Sequence, residues 1–104
     1  MNNNAWVGWA AGVYEGEGSL SVHKHGLQLG VSSTDRDVLD QFQVVVGVGR
    51  VYGPYTRKTD KPHWKPHYFY RCYVLEDIRK TLCLFEPYLC ARRRARATEL
   101  GGIS

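Results

Sequence analysis

Two stretches of the chain alternate apolar and polar residues, and each follows a stretch with helical spacing. In the first, residues 19–33, two alternating runs surround a turn at residues 24–26. In the second, strand-like sequence covers residues 48–56 and returns at residues 67–74. Because a period of two buries one face of a β-strand and leaves the other face polar, each stretch predicts a β-hairpin.

The apolar residues outside the hairpins recur at helical spacing. A first helix is predicted over residues 5–14, and a second is predicted to open with a capping box at residues 34–37 and to end at Gly47. A third helix is predicted over residues 75–85, and a last one after Pro87, since proline suits the first turn of a helix.

The predicted order of elements is αββαββα, with the final helix split in two. This is an α+β fold in which helices back one face of a four-stranded antiparallel sheet. At 104 residues, the chain is expected to form one domain over residues 1–104, with one modest core.

Composition restricts the class of protein. No apolar run is long enough to span a bilayer, and the start of the sequence is unlike a signal peptide. The three cysteines show no CxxC spacing, so neither a zinc site nor a disulfide framework is indicated. The sequence therefore predicts an intracellular protein that is not secreted, has reduced thiols and binds no membrane.

Charge is distributed unevenly along the chain. The net charge is +4, but residues 1–49 hold two basic and five acidic residues, whereas residues 50–104 hold twelve basic and five acidic residues. This asymmetry favours a polyanionic partner that contacts mainly the second half, and a solvated basic surface is the alternative.

One face of the predicted sheet is left without helices, and its side chains are polar, basic and aromatic. Such side chains can reach base edges in the DNA major groove, and the basic connection between the last two strands and the arginines of residues 92–96 can add phosphate contacts. Alternatively these arginines form the solvated side of the last helix, which is the expectation for Arg93 and Arg96. The predicted DNA-binding residues are Ser19, Ser21, His23, Gln28, Ser32, Arg50, Tyr52, Arg71 and Tyr73 on the sheet, and Arg57, Lys58 and Lys61 in the connection.

Two acids stand where the first helix is predicted to end. Residues 10–18 read AAGVYEGEG, which places Glu15 and Glu17 at a helix C-terminus, where each carboxylate costs roughly 0.3–1 kcal/mol against the helix dipole. They are either ordinary loop acids or ligands of a divalent cation, which would compensate the acids and the dipole together. Mg²⁺ binds one or two protein carboxylates and fills its remaining positions with water and phosphate oxygens. Acids beside a basic surface therefore indicate a metal-dependent nuclease.

The same segment resembles the LAGLIDADG motif of the homing endonucleases. Both have small or apolar residues, a glycine, two apolar residues, an acid, a small residue, a second acid and a glycine. The segment departs from the motif at its first leucine, which is Ala10 here, and at both aspartates, which are glutamates here. The αββαββα order, the sequence GVGRV and the sequence LFEPYL before a basic last helix are also similar to those of single-motif members.

The resemblance implies roles for three residues. Glu17 matches the final motif acid, which binds the catalytic metal, Mg²⁺ or Mn²⁺. Arg92 matches a basic residue near the scissile phosphate, and Ser33 falls near a polar position that orders active-site water. These three are the predicted catalytic residues, and Glu17 is the predicted metal ligand.

The resemblance also implies an assembly. In this family the motif helices pack on each other, and members with one motif form homodimers. Residues 5–18 are therefore expected at the dimer interface of a symmetric homodimer, with Gly8, Ala11, Gly12 and Glu15 in the contact.

The implied function is that of a homing endonuclease, an enzyme whose gene moves with an intron or intein. It would bind double-stranded DNA and make a staggered double-strand break with 3′ overhangs in a long pseudo-palindromic target. Two alternatives stay open: a non-catalytic DNA- or RNA-binding module of the same fold, such as an intron maturase or a regulator, and a structural oligomerisation domain. The presence of Glu17 together with Arg92 favours the nuclease.

Overall fold

The two predicted hairpins form one antiparallel sheet in the computed structural model, which describes residues 3–56 and 65–102. The strands are β1 (Gly18–His23), β2 (Gly26–Ser33), β3 (Arg50–Tyr55) and β4 (His67–Cys72). Their spatial order is β1-β2-β4-β3, so the second strand of each hairpin lies in the centre. The register sets Leu29 opposite both Leu20 and Cys72, which aligns apolar side chains on one face.

Helices cover that apolar face. The helices that pack on the strands are α1 (Asn3–Glu17), α2 (Arg36–Val46) and α3 (Leu75–Phe85). The last helix, α4 (Ala91–Glu99), follows a 3₁₀ turn (Glu86–Tyr88) and adds Ala97 to the core. The α+β fold and the four-stranded antiparallel sheet are confirmed. The limits of the first and last helices differ from the prediction, and the first helix already begins at Asn3. The first helix continues through Glu17, and Pro87 lies in the 3₁₀ turn rather than in the first turn of the last helix.

Aromatic rings join the helices to the sheet. The Phe42 ring of α2 meets the Tyr70 ring of β4 edge-on, with 4.8 Å between the ring centroids. The Phe85 ring lies 5.8 Å from both Phe42 and Tyr14. Each of these four side chains is at most 1% exposed. Because aromatic side chains bury a large apolar area, this cluster holds α1, α2 and α3 to the same face of the sheet.

The predicted capping box at the start of α2 does not form. Asp35 is the N-cap residue but makes no side-chain capping hydrogen bond, and its own N–H donates to Ser33 Oγ at 3.0 Å. The C-terminus follows the prediction. Gly47 has a φ of 77°, which suits glycine, and its N–H donates to the Gln43 carbonyl oxygen at 2.8 Å.

The passage from α1 to β1 requires a glycine. A Cβ atom at Gly18 would overlap both the ring and the carbonyl oxygen of Tyr14. The chain can therefore turn from helix to strand directly after Glu17, and this acid lies at the edge of the sheet. None of the described helices is long and apolar enough to cross a membrane.

Candidate nucleic-acid interface and active site

Arg71 lies in the middle of the face of the sheet that the helices leave open. Its guanidinium carbon is 4.8 Å from the centroid of the Phe69 ring and 5.8 Å from that of the Tyr52 ring. Across the β3–β4 pair, Arg50 stands directly opposite Arg71. Contact with two rings restrains the guanidinium and leaves its N–H groups available, because cation–π contacts use the flat face of the group.

The register brings the other predicted sheet residues to the same open face. Ser19 is opposite Gly30, which in turn is opposite Arg71, and side chains two residues apart along a strand share a face. Ser21 Oγ lies 3.0 Å from His23 Nε2. The residues placed on this face are Ser19, Ser21, His23, Gln28, Ser32, Arg50, Tyr52 and Arg71. Tyr73 follows the end of β4 and is 54% exposed.

The sequence analysis did not select Phe69 for this face. The alternation of strand residues could have identified it, because Phe69 is two residues before Arg71 in β4 and therefore shares its face. The three basic residues of the β3–β4 connection that were selected, Arg57, Lys58 and Lys61, lie outside the described residues. The exposed Lys65 is described, and its Nζ is 4.0 Å from Asp35 Oδ1.

Glu17 occupies the corner where α1 meets the open sheet face. It is exposed and borders a groove of about 240 Å³ whose lining includes Ser19, Gln28, Ser32 and Arg71. Among the described residues, its carboxylate has no hydrogen bond and no ion pair. A free carboxylate at a helix C-terminus is electrostatically unfavourable, and it is therefore suited to a cation.

Glu15 is engaged elsewhere. Its Oε2 accepts a hydrogen bond at 3.4 Å from the backbone N–H of Cys90, the N-cap residue of α4. The positive end of the α4 dipole lies there, so the carboxylate that is unfavourable for α1 is favourable for α4. The bond is the one that a glutamate makes within a capping box, supplied here by a different helix.

The sequence analysis expected Arg93 to be solvated, but the structure places it half-buried. Its Nη2 donates to the backbone carbonyl oxygen of Glu15 at 3.2 Å, and its guanidinium carbon lies 5.4 Å from the centroid of the Tyr14 ring. Burial raises the pKa of Tyr14, and the Arg93 charge acts in the opposite direction. The ring is therefore neutral near pH 7 and serves Arg93 as a flat apolar support.

The other arginines of α4 differ in what they contact. Arg94 donates to the carbonyl oxygens of Glu86 and Leu89, at 2.9 Å and 3.2 Å. Arg96 pairs with Glu99 at 3.7 Å, which agrees with the solvated helix face expected for it. Arg92 is exposed and makes no hydrogen bond, ion pair or ring contact within the described part of the chain. Its guanidinium is thus available to an anion.

Ser33 lies apart from Glu17 and the groove that Glu17 borders. Its Oγ accepts the hydrogen bond from Asp35 N–H that links β2 to α2, and its register position is on the helix-covered face of the sheet. Ser32, one residue earlier, lines the groove beside Glu17. The water-ordering role of Ser33 stays a prediction, and the serine hydroxyls that line the groove are those of Ser19 and Ser32.

The outer face of α1 differs from the prediction for the dimer contact. Ala11 is 1% exposed and belongs to the chain's own core, so it is not part of an open surface. A Cβ atom at Gly8 would lie 3.5 Å from the Tyr88 ring. A Cβ atom at Gly12 or at Gly16 would meet nothing within 4 Å. The open small-residue face of α1 therefore consists of Gly12 and Gly16. Of these two, the sequence analysis predicted Gly12 in the dimer contact and did not select Gly16.

The residues present fit a divalent cation held by few protein ligands. Within residues 3–56 and 65–102, no group of three or more His, Cys, Asp or Glu side chains is placed to enclose a metal ion. Glu17 is a single free carboxylate beside an open groove. Such a site suits Mg²⁺, because Mg²⁺ keeps several coordination positions for water and phosphate oxygens. It does not suit a metal that must be enclosed by protein side chains.

Comparison with protein-family models and with curated proteins gives no match. Solved structures give strong matches. The homing endonuclease I-CvuI, in complex with its target in the presence of Ca, has a TM-score of 0.69 and 19% identity over 92% of this chain and 63% of that one. The group I intron-encoded homing endonuclease I-CeuI, complexed with DNA, has a TM-score of 0.69 and 19% identity over 93% of this chain and 52% of that one.

The LAGLIDADG meganuclease I-AabMI, bound to uncleaved DNA, has a TM-score of 0.67 and 20% identity over 97% of this chain and 35% of that one. The chain therefore has the LAGLIDADG homing-endonuclease fold, as the motif and the order of elements predicted. It spans less than two thirds of the length of each of these proteins.

Proposed function

We propose that this chain is a site-specific, divalent-metal-dependent DNA endonuclease that works as a homodimer on double-stranded DNA inside the cell. The observation that carries the proposal is the free Glu17 carboxylate at the C-terminus of α1, directly beside the open sheet face. The four strands contain no aspartate or glutamate. A polyanion can therefore approach the sheet closely while the acid remains at its edge.

The open sheet face is the DNA-reading surface. A two-stranded ribbon of sheet fits the major groove, where side chains reach base edges. Arg71 is the strongest candidate for a base contact, because Phe69 and Tyr52 restrain its guanidinium and a restrained fork loses less entropy when it binds guanine. The exposed Arg50 adds positive charge opposite it.

Glu17 would hold the metal, Mg²⁺ or Mn²⁺. When bound there, the cation would supply Lewis-acid polarisation of the phosphate and would lower the pKa of a bound water. Arg92 binds the non-bridging oxygens of the scissile phosphate, where negative charge accumulates during attack. Ser32 offers a hydroxyl group that orients water in the groove.

The homodimer brings two Glu17 carboxylates together through α1. Gly12 and Gly16 leave the outer face of α1 open, so the backbone of a second helix can approach closely. Trp6 is 38% exposed and packs edge-on against Trp9 with 5.6 Å between the ring centroids, which provides apolar area around the glycines. A two-fold axis through this contact predicts a pseudo-palindromic target. The staggered cut with 3′ overhangs is implied by the resemblance to the family.

A cleavage assay tests the proposal. The substrates are the host DNA from the two sides of the gene, joined without it, and a library of randomised duplexes, each with Mg²⁺, Mn²⁺ or a chelator. We expect metal-dependent double-strand breaks with 3′ overhangs at a site with two-fold sequence symmetry. Intron or intein mobility predicts that the joined flanking DNA is the better substrate.

Glu17→Gln protein is the matched control, since it should bind the recovered site without cutting it. If the wild-type protein binds a specific duplex and cuts it with neither metal, the chain is a non-catalytic binding module of the same fold. If it binds no DNA specifically, the proposal fails altogether.

A further inference from the structure

The end of α1 and the start of α4 satisfy each other's unpaired backbone groups. Glu15, near the end of α1, accepts from the N–H of Cys90 at the N-terminus of α4. In return, Arg93 of α4 donates to the carbonyl oxygen of Glu15. An acid therefore stands at a helix N-terminus and a base at a helix C-terminus, and both arrangements complement the helix dipoles.

Tyr14 completes this set of residues, which we call the α1–α4 clamp: Tyr14, Glu15, Cys90 and Arg93. The Arg93 guanidinium lies over the Tyr14 ring, and the ring itself is fixed in the core against Phe85. Arg93 Nε is buried and has no hydrogen-bond partner among the described residues. An unsatisfied buried donor lowers stability, so stability alone does not account for an arginine in this position.

The clamp joins the two turns that carry the proposed catalytic groups. Glu17 lies two residues after Glu15 in the last turn of α1, and Arg92 lies directly before Arg93 in the first turn of α4. Adjacent residues on an α-helix point about 100° apart around its axis. Fixing Arg93 therefore fixes the rotation of α4, and with it the direction in which Arg92 leaves the helix.

We propose that Arg93 is a positioning residue for the cleavage reaction: it holds the first turn of α4 against the last turn of α1 so that Arg92 faces the phosphate bound at Glu17. The proposal rests on the proposed function, because it assigns Arg93 to the same site. Arg93 itself contacts neither DNA nor metal, since its guanidinium is occupied by Tyr14 and by the Glu15 carbonyl.

A double-mutant cycle tests the proposal on the recovered target duplex, with cleavage rates measured under single-turnover conditions at saturating protein. Arg93→Met keeps the long apolar stem and removes the charge and the fork. We expect it to lower the rate by about tenfold or more while DNA affinity changes less than about twofold, because small misplacements of catalytic groups are costly. Arg96→Ala, on the same helix, is the control and should match the wild type.

The decisive arm combines Arg93→Met with Arg92→Ala. If Arg93 acts through Arg92, then Arg93→Met should lower the rate no further once Arg92 is removed, since interacting residues are non-additive. A merely structural role predicts the same loss in both backgrounds, and that result would overturn the proposal. A loss of affinity without a loss of rate would also overturn it, because Arg93 would then be a DNA-binding residue.

Hydrogen exchange keeps the clamp testable apart from activity. In the wild-type protein without DNA, the Cys90 amide should be protected, and Glu15→Gln and Arg93→Lys should both speed its exchange relative to Arg96→Ala. If Arg93→Met does not fold, Arg93→Lys, which retains the charge but not the fork, takes its place in the cycle. If wild-type protein cuts no DNA, the proposed function fails, whereas an unprotected Cys90 amide contradicts the clamp alone.

Discussion

The open sheet face and the α1–α4 corner, where the last turn of α1 meets the first turn of α4, use polar groups in opposite ways. On the sheet face, polar side chains from four strands stand side by side, and many of them contact no other polar group within the described chain. At the corner, Glu15, Arg93 and Arg94 are all committed to backbone groups of neighbouring segments. Among the charged side chains that the structure describes in the last turn of α1 and the first turn of α4, Glu17 and Arg92 have no polar partner within the described residues.

This difference suits two tasks with different demands. Reading a DNA sequence sums many separate contacts, each worth about 1–3 kcal/mol for a good base pair contact. Cleaving one phosphodiester depends on a few groups held in place, where a small displacement is costly. We therefore expect substitutions on the sheet face to change affinity additively and substitutions at the corner to change rate non-additively.

Glu17→Gln should have the largest effect, because it removes the proposed metal ligand and changes almost nothing in shape. We expect the cleavage rate to fall at least about 10³-fold, which corresponds to about 4 kcal/mol of transition-state stabilisation. Affinity for the target should remain close to that of the wild type, since the sheet contacts are intact. A cleaving Glu17→Gln protein would contradict the assignment of Glu17.

Gly12→Leu should separate the subunits without unfolding them. A side chain at Gly12 meets nothing within the chain, so the folded monomer accommodates it, whereas a helix packed against it cannot. Overpacking should weaken the dimer by about 1–3 kcal/mol for each copy. We expect sedimentation to show monomer and double-strand cleavage to be lost, while the circular dichroism spectrum stays near that of the wild type.

Gly8→Ala supplies the comparison within the same helix. Its Cβ would lie 3.5 Å from the Tyr88 ring of the same chain, which is an ordinary contact, so sedimentation should still show a dimer. A wild-type monomer that makes double-strand breaks would contradict the shared site.

The sequence predicted the sheet face far better than the corner, for a physical reason. Strand alternation reports which side of a sheet each residue occupies, so the positions of Ser19, Gln28 and Arg71 followed from a local pattern. Phe69 follows from the same alternation, but its side chain lacks the hydrogen-bonding group that the other predicted residues of this face share.

The corner depends on contacts between residues far apart in the sequence. Glu15 meets Cys90 and Arg93, which lie more than seventy positions away, as the separations of 75 and 78 residues show. No local pattern predicts which arginine of a basic run turns inward, so Arg93 was assigned to solvent. Ala11 was predicted at the dimer interface but lies in the core of the chain. The sequence could not distinguish these two positions, because a small residue on α1 suits close packing against the same chain or against a second one.

Arg71→Ala should change sequence preference rather than catalysis. If the restrained guanidinium forms a bidentate pair with guanine, its loss should cost about 1–3 kcal/mol of target affinity and relax the preference at one base position per half-site. The measurement is a binding profile over all single-base variants of the target. Arg71→Lys, which keeps the charge without the fork, should recover affinity but not preference. An unchanged profile for Arg71→Ala would place Arg71 outside the base contacts.

Glu15→Gln should lower stability slightly and leave sequence preference unchanged. The amide can still accept from Cys90 N–H, so the substitution changes only the charge, whose interaction with the α4 N-terminus is worth about 0.3–1 kcal/mol and is partly offset by its cost at the α1 C-terminus. For a domain of this size we expect Tm to fall by at most about 5 °C. High salt should reduce the difference between the two proteins, and an equal Tm at low salt would contradict the capping role.

Lys65→Ala should have the smallest effect on the target complex and the most uniform one. Lys65 is exposed, its pair with Asp35 is weak at 4.0 Å, and its removal should leave stability within about 1 kcal/mol of the wild type. A lysine that contacts a phosphate contributes to every duplex equally, so affinity should fall by the same factor for the target and for unrelated DNA. The slope of log K against log salt should decrease by about one. The same result is expected for Lys58→Ala and Lys61→Ala. A loss of affinity confined to the target would instead show that these lysines contact bases and not phosphates.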